Sequence, residues 1–80
     1  MQILPLAEHL HEIIERHGLR KAFEKQKRLF ENNWRHPSLH TEILEPRHLK
    51  IYSFRITQKW RALFFIKGGK IEVFDITDYH

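Results

Sequence analysis

The stretch from Ile51 to Thr77 restricts the fold more than any other part of the chain. Tyr52, Phe54 and Ile56 alternate with Ser53, Arg55 and Thr57, the period-two pattern of a strand with one buried face. Trp60 to Ile66 is almost continuously apolar, as a central strand is. Gly68-Gly69 tolerates the positive φ of a tight hairpin turn, and Ile71, Val73 and Asp75 then alternate with Glu72, Phe74 and Ile76. With turns at Thr57-Gln58-Lys59 and at Gly68-Gly69, the segment is an antiparallel meander of three strands.

Turn positions set which residues face one another. The first turn puts Ile56 opposite Trp60 and Arg55 opposite Arg61; the second puts Phe64 opposite Val73 and Arg61 opposite Ile76. Directly opposed residues share a face. One face then carries Tyr52, Phe54, Ile56, Trp60, Ala62, Phe64, Ile66, Ile71 and Val73, an apolar surface that needs a cover. The other carries Ser53, Arg55, Arg61, Leu63, Phe65, Glu72, Phe74 and Ile76. Asp78 and His80 extend this second face beside Arg61 if the strand continues.

The cover is upstream. Residues 5–17 have the spacing of a helix, with Pro5 suited to its first turn and Gly18 to its stop. Leu6, Leu10, Ile13, Ile14 and His17 form its stripe, and Glu8, Glu12 and Glu15 share the other side. A second helix runs from Leu19 or Arg20 to Asn33, with a stripe of Leu19, Ala22, Phe23, Gln26, Phe30 and Trp34. Lys21, Lys25 and Arg28 form a basic ridge opposite that stripe, which is either a solvated face or a contact for nucleic acid or an acidic partner. Residues 33–41 read as a loop, Thr41–Leu44 as the opening of a strand, and Glu45–Lys50, with Pro46, as a connection. The expected fold class is α+β: one domain over 1–80, an N-terminal helical hairpin packed on one face of a small antiparallel sheet.

Eighty residues leave no room for a second core. The chain has no cysteine, which excludes disulfides and thiolate zinc sites and fits a cytoplasmic setting. No apolar run approaches the roughly 18 residues of a membrane span, so no membrane partner is expected. Met1–Leu6 is too short and lacks the basic flank of a signal peptide. The formal charge is +4 with histidines neutral, and the pI is near 9.7. That balance suits nucleic acid or an acidic partner, and equally an ordinary soluble surface.

The chemistry in the sequence centres on Arg55 and Arg61. Like charges directly opposed across strands repel. A carboxylate such as Asp78 or Glu42 can offset that within the fold, or a bound phosphate can, gripped by the two guanidinium groups. Histidine supplies proton transfer near neutral pH. His36 and His40 flank Pro37 in the loop, and His80 ends the sequence, while His9, His11, His17 and His48 read as surface or packing residues. His36 and His40 are four apart across a proline and so do not share a helix face; with no cysteine and no paired carboxylate motif, no metal is expected.

Taken in order, the basic helical hairpin, Arg-His-Pro-Ser-Leu-His (35–40), Tyr-Ser-Phe-Arg-Ile-Thr (52–57), Trp-Arg-Ala-Leu-Phe (60–64) and Asp-Ile-Thr-Asp-Tyr-His (75–80) resemble the RelE/ParE toxin superfamily, the toxins of type II toxin–antitoxin modules. The resemblance covers roughly residues 20–80 and is tightest over 51–66. It implies two helices on an antiparallel sheet, a cognate antitoxin as partner, contact with operator DNA through the antitoxin complex, and no cofactor. It also implies one of two activities. The RelE-like branch is a ribosome-dependent endoribonuclease that cuts mRNA by attack of a 2′-hydroxyl on the adjacent phosphate; the ParE-like branch inhibits DNA gyrase without nuclease chemistry. An inactive relative that only binds its antitoxin or DNA is a third possibility.

On the nuclease branch, Arg61 matches the family's sheet arginine and would stabilise the phosphate and the transition state. Arg55 matches the basic position on the preceding strand. His80 resembles the terminal histidine and would act as general acid or base, and Tyr79 would stack on a base or orient it. Asp78, His36, His40 and the Lys21/Lys25/Arg28 ridge are the secondary RNA-binding candidates. This chain departs from other members in carrying Thr77 where they have glycine.

Overall fold

A computed structural model describes residues 1–78. It is an α+β fold in two layers, with helices α1 (Glu8–Arg16) and α2 (Arg20–Asn32) packed on one face of a five-stranded sheet. The strands are β1 (Gln2–Ile3), β2 (Glu42–Ile43), β3 (Tyr52–Arg55), β4 (Arg61–Lys67) and β5 (Lys70–Thr77), in the spatial order β1-β5-β4-β3-β2. The expected sheet is antiparallel; the observed one is mixed, because β1 runs parallel to β5. That ladder continues to Leu4, whose N–H donates to the Ile71 carbonyl at 2.8 Å. The chain is therefore still tied to the sheet at the point where Pro5 was expected to open a helix, and α1 begins only at Glu8. Leu6 packs on the core from outside the helix. Among the described residues, no helix is long and apolar enough to cross a membrane.

The two helices are joined through a Schellman motif. Leu19 N–H donates to the Ile14 carbonyl at 2.8 Å and Gly18 N–H to that of Glu15 at 3.3 Å. Gly18 sits at φ 63°, the left-handed position the motif demands of a residue without a Cβ. Leu19, buried, then leads directly into α2. Leu10 and Ile14 from α1, and Phe23 and Phe30 from α2, meet Phe54, Ala62, Phe64, Ile71, Val73 and Ile76 from the sheet. Phe30 is the pivot: its ring lies 4.9 Å from Phe54 and stands edge-on to Phe64 at 5.2 Å and 87°. Each buried aromatic contributes on the order of 1.5–3 kcal/mol. Gln26, within the apolar stripe of α2, is also buried and places its amide usefully: Nε2 donates to the Arg55 carbonyl at 2.8 Å and to that of Ser38 at 3.3 Å. It thereby ties the helix to the end of β3 and to the loop beyond.

The first hairpin has the expected register, with Arg55 opposite Arg61 and Tyr52 opposite Phe64. Thr57 Oγ1 accepts from the N–H groups of Lys59 and Trp60 at 3.2 and 3.1 Å, which closes the turn. The second hairpin turns at Gly68 (φ 56°) and Gly69 (φ 77°), two positive angles in succession as a type I′ turn requires. Phe64 faces Val73 as expected, but the ladder then shifts, so that Leu63 faces Asp75 and Arg61 faces Thr77. Phe74 is the extra residue, a β-bulge. The expected placement of Ile76 beside Arg61 is thus corrected: Ile76 lies opposite Ala62 and is buried in the core, while Asp75 and Thr77 take the outer positions.

Candidate functional site on the open sheet face and the β2 edge

The face of the sheet away from the helices has a charged end and an apolar end. At the charged end Arg55 and Arg61 are cross-strand neighbours. Arg61 lies across β3 toward β2. Its Nε donates to Ser53 Oγ at 3.0 Å, its Nη2 to the His40 carbonyl at 2.7 Å, and Nη2 is 3.7 Å from Glu42 Oε1. Its side chain is only 14% exposed, and Ser53 beneath it is fully buried. Of the two carboxylates expected to offset the arginine pair, Glu42 does so. Asp78 instead lies 3.8 Å from Lys59 Nζ, which corrects its expected place beside Arg61; the bulge at Phe74 turns the strand end by one residue. Arg55 is different from Arg61. Its Nε is buried and has no hydrogen-bond partner among the described residues. A buried donor left unmet is unusual in a folded chain.

At the apolar end, Phe65 and Phe74 stack at 4.4 Å and 22°, half-buried beside Leu63. Among the described residues, no helix covers this pair.

His36 and His40 come together at the β2 edge, where they line a cleft of about 400 Å³ with Trp34, Arg35, Thr41, Glu42 and Tyr52. The loop is held in shape from within. Thr41 Oγ1 donates to the Trp34 carbonyl at 2.8 Å, and Pro37–Leu39 form a single 3₁₀ turn whose Leu39 is buried. His36 Nδ1 receives the Ser38 N–H at 3.2 Å, so Nε2 carries the ring hydrogen in the neutral form and remains a donor. His40 has a left-handed backbone, φ 45°, and its carbonyl is the one Arg61 grips. Arg61 therefore couples the open face to the cleft: the arginine read as a phosphate ligand is also the brace of the histidine loop. Among the described residues, no three His, Asp or Glu side chains converge as a metal site.

The remaining candidates stand apart. Lys21, Lys25 and Arg28 are exposed on the outer side of α2, with the core between them and the arginine pair. Tyr79 and His80 lie outside the described residues. Sequence reasoning missed Ser53 as the anchor of Arg61, although parity already put both on one face. It also assigned Trp34 and Tyr52 to the core alone; the signal for the cleft was the run Trp34-Arg35-His36 directly after a helix end.

No protein-family model matches the chain, and no curated protein matches it.

Proposed function

We propose that the chain is a RelE-like toxin, an endoribonuclease that acts on mRNA at the ribosome in the cytoplasm and is neutralised by an antitoxin. The observation that carries this reading is the opposed Arg55–Arg61 pair on the helix-free face. Guanidinium groups bind phosphate oxygens in a forked geometry that ammonium groups do not reproduce. Cleavage needs little from the protein beyond aligning the strand, stabilising added charge on the phosphorus and moving two protons. In this reading the 2′-hydroxyl oxygen attacks the neighbouring phosphorus, and the 5′-oxygen leaves. Arg55 contacts the phosphate. Arg61, fixed by Ser53 and the His40 carbonyl, adds a positive charge whose orientation is set before the substrate arrives. His80 takes or returns a proton, as the family resemblance implies. Leu63, Phe65 and Phe74 offer the antitoxin an apolar surface.

The test is in vitro translation with purified protein, followed by primer extension on the mRNA. Cuts that require ribosomes, and that disappear in Arg55→Ala and His80→Ala, are the expected result. Intact mRNA combined with stalled supercoiling by DNA gyrase would move the chain to the ParE-like branch. Normal growth on expression without an antitoxin would leave it an inactive relative.

A further inference from the structure

The cleft at the β2 edge lies outside the arginine pair, and its walls have two kinds of chemistry. At about 400 Å³ it falls within the roughly 300–1,000 Å³ of small-ligand sites. Trp34 and Tyr52 supply flat apolar surface. Both are half-buried against the core, and Tyr52 is fixed by stacking on Phe64 at 5.5 Å and 18°. Neither wall has to be assembled when a ligand enters. Around them stand donors. The Arg35 guanidinium is 4.9 Å from the Trp34 ring centroid and exposed, and His36 and His40 complete the rim. The one carboxylate of the cleft, Glu42, leans toward Arg61. A site with aromatic walls, a surplus of donors and one carboxylate drawn aside suits a ligand with a flat ring at one end and an anion at the other.

Resting on the RNA reading above, we propose that this cleft is a nucleotide subsite. It takes one base–ribose–phosphate unit, with the base against Trp34 and Tyr52 and the phosphate at Arg35 and His40. Aromatic stacking is tolerant of base identity, because every base presents a π-face, so the subsite holds a strand without reading it. Its position beside the loop braced by Arg61 gives an RNA chain a second hold beyond the arginine pair.

The chain has two tryptophans, so Trp60→Phe leaves Trp34 as the sole reporter. In that background, 5′-AMP and a 2′-O-methyl adenosine hexanucleotide, which cannot be cut, are titrated without ribosomes. Saturable quenching of Trp34 is expected. Tyr52→Leu should weaken binding roughly tenfold, the scale of one lost stacking contact. Arg35→Gln and His40→Asn should each raise Kd by about threefold or more, as loss of one charge-assisted hydrogen bond does. Both side chains are exposed, and asparagine accepts the left-handed backbone at position 40, so their melting curves should match wild type. A hexamer that binds more than about tenfold tighter than AMP, and displaces it, assigns the site to an RNA strand; equal affinities assign it to free nucleotides. Three results would overturn the subsite: no quenching by either probe, quenching unchanged by Arg35→Gln and His40→Asn, or displacement of both probes by a polyglutamate peptide at equal affinity. Nucleotide binding in a chain that leaves translated mRNA intact keeps the subsite and removes the nuclease reading. Cutting by a chain whose Arg35→Gln and His40→Asn variants bind like wild type does the reverse.

Discussion

The two faces of the sheet are built from the same strands yet follow different rules. The helix-covered face is a continuous apolar packing of Phe30, Phe54, Phe64 and their neighbours, with one amide, Gln26, placed to satisfy backbone carbonyls. The open face is heterogeneous: a braced arginine, an arginine with an unmet donor, a buried serine and a stack of two phenylalanines. On the covered face, among the described residues, no buried side-chain donor or acceptor lacks a partner. On the open face one such donor, Arg55 Nε, does. The first face holds the fold together, and the second has chemistry to spare.

Substitutions on the two faces should separate cleanly in denaturant titrations. Phe64→Ala, at the centre of the covered face, should lower the unfolding free energy by about 3–5 kcal/mol, the cost of a buried aromatic cavity. A loss below about 1 kcal/mol would mean that the core is not organised around this ring. Arg61→Ala should cost about 1.5–3 kcal/mol, because it removes charge-assisted hydrogen bonds to Ser53 and the His40 carbonyl. Arg55→Ala, by contrast, should leave stability nearly unchanged and, on the proposed nuclease reading, act on RNA cleavage alone. If the two arginine variants destabilise equally, the contrast between brace and ligand is lost. Phe74→Ser should cost about 0.5–1.5 kcal/mol through the lost stack with Phe65, and it should reduce binding of a hydrophobic dye.

The smallest effect belongs to the helical layer. Glu15→Gln should change stability by about 0.5 kcal/mol or less, since its pair with Arg20 is solvent-exposed. The hydrogen bond that Arg20 donates to Glu15, with burial working against it and Glu24 adding to it, holds the Arg20 guanidinium above its ordinary range. A raised value contributes below the unfolded pKa and is lost only as pH rises through the folded one. Melting curves between pH 6 and 8 should therefore show no change traceable to Arg20.

Much of this was legible in the chain itself, and the limits have physical causes. Arg55 opposite Arg61 follows from parity once Thr57 and Lys59 are recognised as a turn, and Phe64 opposite Val73 follows from Gly68-Gly69. Ile76 was misplaced because nothing in Val73-Phe74-Asp75 marks a bulge; the alternation looks regular until the ladder is seen. The parallel pairing of Gln2 and Ile3 with Lys70 and Ile71 was hidden because a two-residue strand has no period to read. The cleft was hidden for a different reason. Trp34, Thr41 and Tyr52 are separate in sequence, and only the fold joins them. Glu42 and Arg61 were legible as partners, but the His40 carbonyl was not, since backbone acceptors leave no mark in a sequence.

Ile3 donates its N–H to Glu31 Oε2 at 2.8 Å. Leu4 points its own N–H inward to β5, so the Ile3 group is the one that faces out from the sheet's border. An outward N–H at a border is where a foreign strand begins to zip on, and repeated addition of that kind grows fibrils. With a helix carboxylate already occupying it, this border offers a foreign strand one hydrogen-bond donor fewer.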